Sequence, residues 1–328
     1  MTVRRRRRSA PRDVARRAEG RPARPVVTPG PGDVRIPVLR TLDLRVRRRI
    51  AGLLPGDFRS AMLGQATELA QVRGYQPGDD VRAIDWKVTA RTGEPHVRLH
   101  VAERALTTWI VLDRTASMRF GTQDRTKSDV AEGLVLAISH LATIGADRLG
   151  VIELGERGPR VALPPSGDHR MILRYLHEAR TRRTDAVDAP TGRAASLSAT
   201  LDLANRICRR PGAVVVVSDL RGPQGWKPPM ARLALRHHVL VLEVIDEREQ
   251  RLTDAGELVL FDPESGRQLR VDTSDRRLRE RFAIAADAER DGVRRLVAST
   301  GADHVVVTTS GDWLRPVAAF LSKRRRAL

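Results

Sequence analysis

Three oxygen-bearing side chains stand at alternate positions in the stretch WIVLDRTASM: Asp113, Thr115 and Ser117. A carboxylate followed by two hydroxyls supplies hard oxygen donors, and a tight turn after Asp113 would bring all three to face one point. Such a set suits Mg²⁺, which takes one or two carboxylates with hydroxyls and keeps several waters. Two further segments offer matching groups. The run AVVVVSD ends in Ser218 and Asp219, and the loop before Leu197 carries Thr191, Ser196 and Ser198. The same residue types also cap helices that follow strands, so spacing alone supports a capping role beside a metal site.

Other chemistries have less to stand on. The sequence holds no Gly-rich phosphate loop, no His-Glu-x-x-His pair and no Gly-x-Ser-x-Gly elbow. His96, His100 and Glu103 lie close together but lack the Cys or further His that zinc favours. His237 and His238 are adjacent at the start of a strand, where neighbours point to opposite faces, which makes them poor joint ligands. No side chain reads as a nucleophile or general base with an orienting partner, and the expectation is a chain that is not an enzyme.

The elements that must position these groups alternate. TWIVLD is a short, nearly continuous apolar run of the kind found in a strand buried on both faces. After it come a helical pattern over 129–143, the run LGVIEL, helical patterns over 169–180 and 197–209, the run AVVVVSD, a helical pattern over 230–236 and the run HVLVLEVID. Strands separated by helices predict right-handed crossovers and an α/β fold, a mostly parallel sheet flanked by helices. In such sheets ligands bind beyond the carboxyl ends of the strands, where Asp113 and Asp219 stand. A hairpin (ELVLFD and RQLRVD), a long amphipathic helix over 275–300, the strand HVVVTT and a last helix follow.

Upstream the pattern differs. Residues 1–33 are rich in Arg, Pro, Ala and Gly without apolar periodicity, and are predicted to be a disordered basic tail. A helix is predicted within 36–54, stopped by Pro55 and Gly56, and residues 60–103 read as loops and short strands. The domain plan is a tail over 1–33, a loop and strand subdomain over 34–105, the α/β domain over 106–250, and a C-terminal part over 251–328 that completes the sheet. Within the subdomain, YQPGDDVRAIDWKVTAR is dense in charge yet contains Tyr75, Ile84 and Trp86. Asp79, Asp80, Arg82, Asp85 and Arg91 could form an ion-pair lattice locking it onto the sheet with Trp86 as anchor, or a surface for a partner. The structural role is the favoured expectation.

The net charge of +19 is concentrated at the ends. Ten arginines against Asp13 and Glu19 give residues 1–24 a charge of +8, and residues 323–326 add +4, which leaves +7 between them. Like-charged runs of this kind are usually solvated, with nucleic acid or an anionic surface as the alternative partner. Aromatic residues are only 3% of the chain, which argues against a base-stacking platform for single strands. The one cysteine, Cys208, sits in an apolar helical pattern as a small buried hydrophobe. No apolar run approaches the roughly 20 residues of a membrane span, so a cytoplasmic location is expected.

Asp-x-Thr-x-Ser at a strand end, with Asp219 closing a later strand, resembles the metal ion-dependent adhesion site of von Willebrand factor A domains, whose pattern is Asp-x-Ser-x-Ser. Residues 60–120 resemble the bacterial domain of unknown function 58 family, at Glu68, Arg73, Tyr75, Pro77, Gly78, Asp79, Asp80, Arg82, Ile84, Asp85, Trp86, Ala90, Arg91, Glu103, Asp113, Ser117 and Met118. The resemblance implies a von Willebrand factor A-like fold and a site made of Asp113, Thr115, Ser117, Ser196 and Asp219. Two departures stand out. Thr115 replaces a Ser while keeping its hydroxyl, and Ala195 falls where the family's third-loop Thr belongs, so that Ser196 substitutes only with a one-residue shift. The implied site is therefore degenerate and holds Mg²⁺ weakly or not at all. The resemblance also implies a protein-interaction module, engaging an acidic side chain of a partner and working with a MoxR-type AAA+ ATPase in chaperone-like maturation or assembly. Binding of nucleic acid or an anionic surface through the tail, and a metal-dependent hydrolase using Asp113 and Asp219, remain as alternatives.

Overall fold

The computed structural model describes residues 71–77, 79–99, 106–122, 125–142, 147–155, 158–185, 196–261 and 267–327. The predicted tail, the helix expected within 36–54, and Glu68, Gly78, His100, Glu103, Thr191 and Ala195 lie outside them. The described chain opens with β1 (Gln71–Gly74), helix α1 (Trp86–Thr92) and β2 (His96–Leu99). β1 and β2 pair antiparallel, with Arg73 opposite Val97.

A six-stranded sheet follows, in the order β10, β7, β6, β3, β4, β5. Its strands are β3 (Thr107–Asp113), β4 (Arg148–Gly155), β5 (Gly158–Ser166), β6 (Ala213–Ser218), β7 (His238–Ile245) and β10 (Asp303–Thr308). All neighbours are parallel except β4 and β5, which are antiparallel. Counted along the chain this is the doubly wound order 3-2-1-4-5-6, in which the strand order reverses between β3 and β6. The parallel expectation thus holds for five strands, and β5 is an addition to it. Its segment GPRVALPPS contains Pro159, Pro164 and Pro165, which cannot donate to a ladder, so it is confined to the edge of the sheet.

Side-chain alternation splits the core. Ile110, Leu112, Val215, Val217, Leu240 and Leu242 point to the face covered by α2 (Lys127–Ala142), α3 (His169–Asp185) and α7 (Leu314–Ala327). Val111, Val214, Val216, Val239 and Val241 point to the face covered by α4 (Leu197–Ile207), α5 (Lys227–Ala234) and α6 (Arg276–Ala298). Helix α2 starts with a reciprocal cap: Thr126 N–H and hydroxyl donate to Asp129, and Asp129 N–H donates back to Thr126 Oγ1. Gly133 within it lets Trp313 pack tightly, since a Cβ there would come within 2.7 Å of the indole. The hairpin of β8 (Glu257–Phe261) and β9 (Gln268–Asp272) forms its own antiparallel pair. Among the described residues no helix is long and apolar enough to cross a membrane.

Candidate functional site at the strand ends

β3 and β6 are neighbours, so their carboxyl ends deliver Asp113 and Ser218 to the same point where the strand order reverses. Asp113 Oδ1 accepts the Thr115 hydroxyl at 2.7 Å and the Thr115 N–H at 2.9 Å. Its Oδ2 accepts the Ser218 hydroxyl at 2.6 Å. Thr115 Oγ1 and Ser117 Oγ lie 3.1 Å apart. The tight turn expected after the strand is a 3₁₀ turn over Ala116–Arg119, with Thr115 at its N-cap position. Asp113, Thr115 and Ser117 therefore meet in one buried knot, and Ser218 joins them.

Burial raises the Asp113 carboxyl, the negative charge of Asp219 raises it further, and together they outweigh the hydroxyl donors to bring it to about 6. Asp219 follows at the end of β6 and is also buried. Its Oδ2 accepts from Lys127 Nζ at 2.7 Å and its Oδ1 from the Arg221 N–H at 3.1 Å. The backbone is strained here. Leu220 has φ 54°, a left-handed conformation that disfavours side chains with a Cβ and costs roughly 1–2 kcal/mol.

Lys127 is the group that reading the sequence missed. Its side chain is 0% exposed, and besides Asp219 its ammonium donates to Glu249 Oε1 and Oε2 at 2.9 and 3.1 Å. A signal was available in its position, because a cation in the first turn of a helix opposes the helix dipole and calls for compensation elsewhere. The neighbouring strand end was missed as well. Asp246, just after β7, accepts from the Thr122 and Thr309 hydroxyls at 2.7 Å each and from the N–H groups of Thr122 and Arg248. Burial pushes Asp246 up, but these donors outweigh it and hold the carboxyl below its ordinary value.

A second buried set of charges flanks the knot. Arg114 donates to Glu132 at 3.2 Å and to the Ala179 carbonyl, and Arg180 donates to the other oxygen of Glu132. Tyr175 donates to Glu153 at 2.7 Å, and burial and that carboxylate push its hydroxyl well above the usual range. These bonds tie the loop after β3 to α2 and α3.

Ser196 is not brought into the knot. Its side chain is exposed, and its hydroxyl caps α4 by accepting from the Ala199 N–H at 3.4 Å. The donor set does not fit Mg²⁺ as it stands. Asp113 already accepts three hydrogen bonds, two at Oδ1 and one at Oδ2, and Asp219 faces an ammonium in place of a metal. Among the described residues no group of three or more His, Cys, Asp or Glu could hold a metal ion.

The charged block over 75–91 differs from the expected lattice. Arg73 pairs with Asp79 at 2.7 Å, and Asp79 also accepts the Gln76 N–H, closing the turn at Pro77. Asp80 caps the 3₁₀ turn Val81–Ala83, and Asp85 caps α1 by accepting from the Lys87 and Val88 N–H groups. Tyr75 is half-buried, and Arg82 and Arg91 are exposed. Trp86 is 70% exposed, which corrects its expected role as an apolar anchor: as the first residue of α1, after its Asp85 cap, it points into solvent. At the amino ends of the strands, a cleft of about 600 Å³ contains His237 and His238. They serve separate partners, the Cys208 carbonyl at 3.0 Å and Arg324 at 3.2 Å. Cys208 is buried as expected, and its thiol is pushed up to about 12 by that burial.

A doubly wound, mostly parallel sheet with one antiparallel edge and a carboxylate–hydroxyl loop at its switch point is the α/β architecture that the resemblance to von Willebrand factor A domains implies. The chain belongs to the family described as protein of unknown function DUF58, whose model matches residues 71–292. It is 40% identical over 292 residues to uncharacterised proteins of Mycobacterium bovis and Mycobacterium tuberculosis, covering 88% of this chain and 89% of each relative. Among solved structures it is similar to the conserved hypothetical protein BatB from Bacteroides thetaiotaomicron, at 18% identity and a TM-score of 0.43, over 68% of this chain and 100% of that one. The VWA domain of SpRpn10 is similar at 14% identity and a TM-score of 0.37, over 67% of this chain and 95% of that one.

Proposed function

We propose that this chain is a non-enzymatic, cytoplasmic protein-interaction module that works with a MoxR-type AAA+ ATPase in chaperone-like maturation or assembly. The observation that carries the reading is the mutual satisfaction of the strand-end groups. Asp113 is held by Thr115 and Ser218, and Asp219 and Glu249 by Lys127, so these carboxylates are committed to the fold and fix the loops that present the strand-end face. A general base needs a lone pair aimed at substrate, and these lone pairs are aimed inward. A rigid surface is suited to recognition, because little ordering entropy is lost when a partner docks. At this face Arg248 is exposed, and Arg221 is partly exposed beside Glu249 at 3.6 Å; both side chains match an acidic group on that partner.

The test is affinity capture of the full chain from its native host. A MoxR-type ATPase is the expected partner, and the double substitution Arg221→Glu and Arg248→Glu is expected to reduce its recovery at least tenfold. Undiminished recovery would move the contact elsewhere, and turnover of a phosphate ester or carboxylic ester by the purified chain would overturn the non-enzymatic reading. The charge of +8 over residues 1–24 favours a second reading, binding of nucleic acid or an anionic surface. It predicts a steep loss of affinity with salt that disappears when those residues are deleted.

A further inference from the structure

The strand-end site has the residues of a cation site and already contains a cation. Lys127 places its ammonium 2.7 Å from Asp219 Oδ2 and 2.9 Å from Glu249 Oε1, with a side chain that is 0% exposed. Its three donor positions are matched by three acceptor oxygens, Asp219 Oδ2 and both oxygens of Glu249. A buried ammonium is tolerated only when paired and fully hydrogen-bonded, and here both conditions are met. The partners come from distant segments. Lys127 opens α2, Asp219 follows β6, and Glu249 ends the 3₁₀ turn Glu247–Glu249 after β7. One side chain therefore ties three elements together at the edge where ligands of such sheets are bound.

Around this ammonium the remaining donors are also committed. Asp113 is closed by Thr115 and Ser218, and Glu249 has Arg221 3.6 Å away as a second positive neighbour. A divalent ion entering here would have to displace an ammonium that cannot diffuse away, since it is tethered to the helix. We propose that Lys127 is the resident cation of the strand-end site, balancing Asp219 and Glu249 where a metal-dependent site would use a divalent ion, so that the face is assembled without Mg²⁺. This does not depend on what the face recognises. A chain that proved to be an enzyme could carry the same internal cation.

The experiment uses the full chain, with Mn²⁺ as probe and its paramagnetic resonance signal as readout of free ion. For the wild type the expected result is the same free Mn²⁺ signal as for Asp219→Asn, and the same Tm in millimolar Mg²⁺ as in EDTA. Lys127→Met is expected to lower Tm on the order of 10 °C in EDTA, because it removes the counter-ion of the buried Asp219 and leaves the half-buried Glu249 with Arg221 alone. Mn²⁺ or Mg²⁺ should then restore part of that loss by entering between Asp219 and Glu249. Lys127→Arg keeps the charge and should fall less than Lys127→Met. A one-to-one Mn²⁺ site in the wild type that Asp219→Asn abolishes would overturn the proposal, even if no Lys127 variant folds. So would a wild-type Tm that drops in EDTA, or a Lys127→Met chain as stable as the wild type.

Discussion

The two regions that carry this chain's family signature use the same residue types in opposite ways. At the strand ends, Asp113, Asp219 and Lys127 are buried, and their bonds join residues far apart in sequence, such as Lys127 with Asp219 and Asp113 with Ser218. In the block over 75–91, Asp79 and Asp80 bond to groups a few residues away, the buried Asp85 caps α1, and Trp86 and Val81 are 70% and 60% exposed. Charge in the first region closes the tertiary fold. In the second it shapes short turns and leaves the surface open. A run of Asp and Arg therefore reveals its role only through the sequence distance of its partners.

If that contrast is right, substitutions at the strand ends are expensive and those in the block are cheap. The largest effect is expected for Lys127→Met, about 3–5 kcal/mol in urea-induced unfolding, since a buried charge cluster loses its counter-ion. Asp246→Ala comes next, at about 2–3 kcal/mol. It removes the fully buried acceptor of the Thr122 and Thr309 hydroxyls and the Arg248 N–H, and orphans the Thr309 hydroxyl at a buried position. Losses under about 0.5 kcal/mol for either would erase the distinction between the two regions.

Asp113→Asn sharpens the contrast through pH. The Asp113 carboxyl lies at about 6 in the fold against an ordinary 3.8, so the folded state binds more protons than the unfolded state in between. Stability should therefore fall as pH rises from about 4 to about 6, by about 1–2 kcal/mol from this group. Asparagine cannot titrate, and the difference between variant and wild type should shift in the variant's favour across that window. Asp246 has the opposite sign. Its carboxyl is held below the ordinary value, so its contribution is present above that value and is lost as pH falls through the lowered one. Urea midpoints at the two ends of that window check the sign for Asp113, and midpoints below about pH 4 check it for Asp246; a constant offset between Asp113→Asn and wild type would refute the first.

Much of the fold was legible because its signals are local. The runs TWIVLD, AVVVVSD and HVLVLEVID became β3, β6 and β7, and Asp113, Thr115 and Ser117 met through the turn that their spacing suggested. β5 was not legible, because its prolines suppress the strand signal that an edge position tolerates. Lys127, Glu249 and Asp246 were not legible either. Their partners lie up to 124 residues away, and periodicity carries no information about which strand ends become neighbours. Ser196 was misjudged for the reverse reason, since a serine before a helix reads equally as a ligand and as a cap, and the cap won.

The smallest expected effect on stability is the most informative about the open region. Trp86 presents most of its ring to solvent at the first position of α1, and its loss should change unfolding by no more than about 0.5 kcal/mol. Asp85→Ala, one residue earlier, should cost about 1 kcal/mol, because it removes the cap of that helix. Tryptophan is also the residue type most often found to dominate protein contacts, with truncation costs of 2 kcal/mol or more, roughly thirtyfold in affinity. Trp86→Ala can thus separate stability from recognition. A variant as stable as the wild type that captures the proposed ATPase partner thirtyfold less well would make the block a second contact surface beside the strand ends. A clear loss of stability would mean that the indole is buried in solution, and the contrast between the two regions would have to be withdrawn.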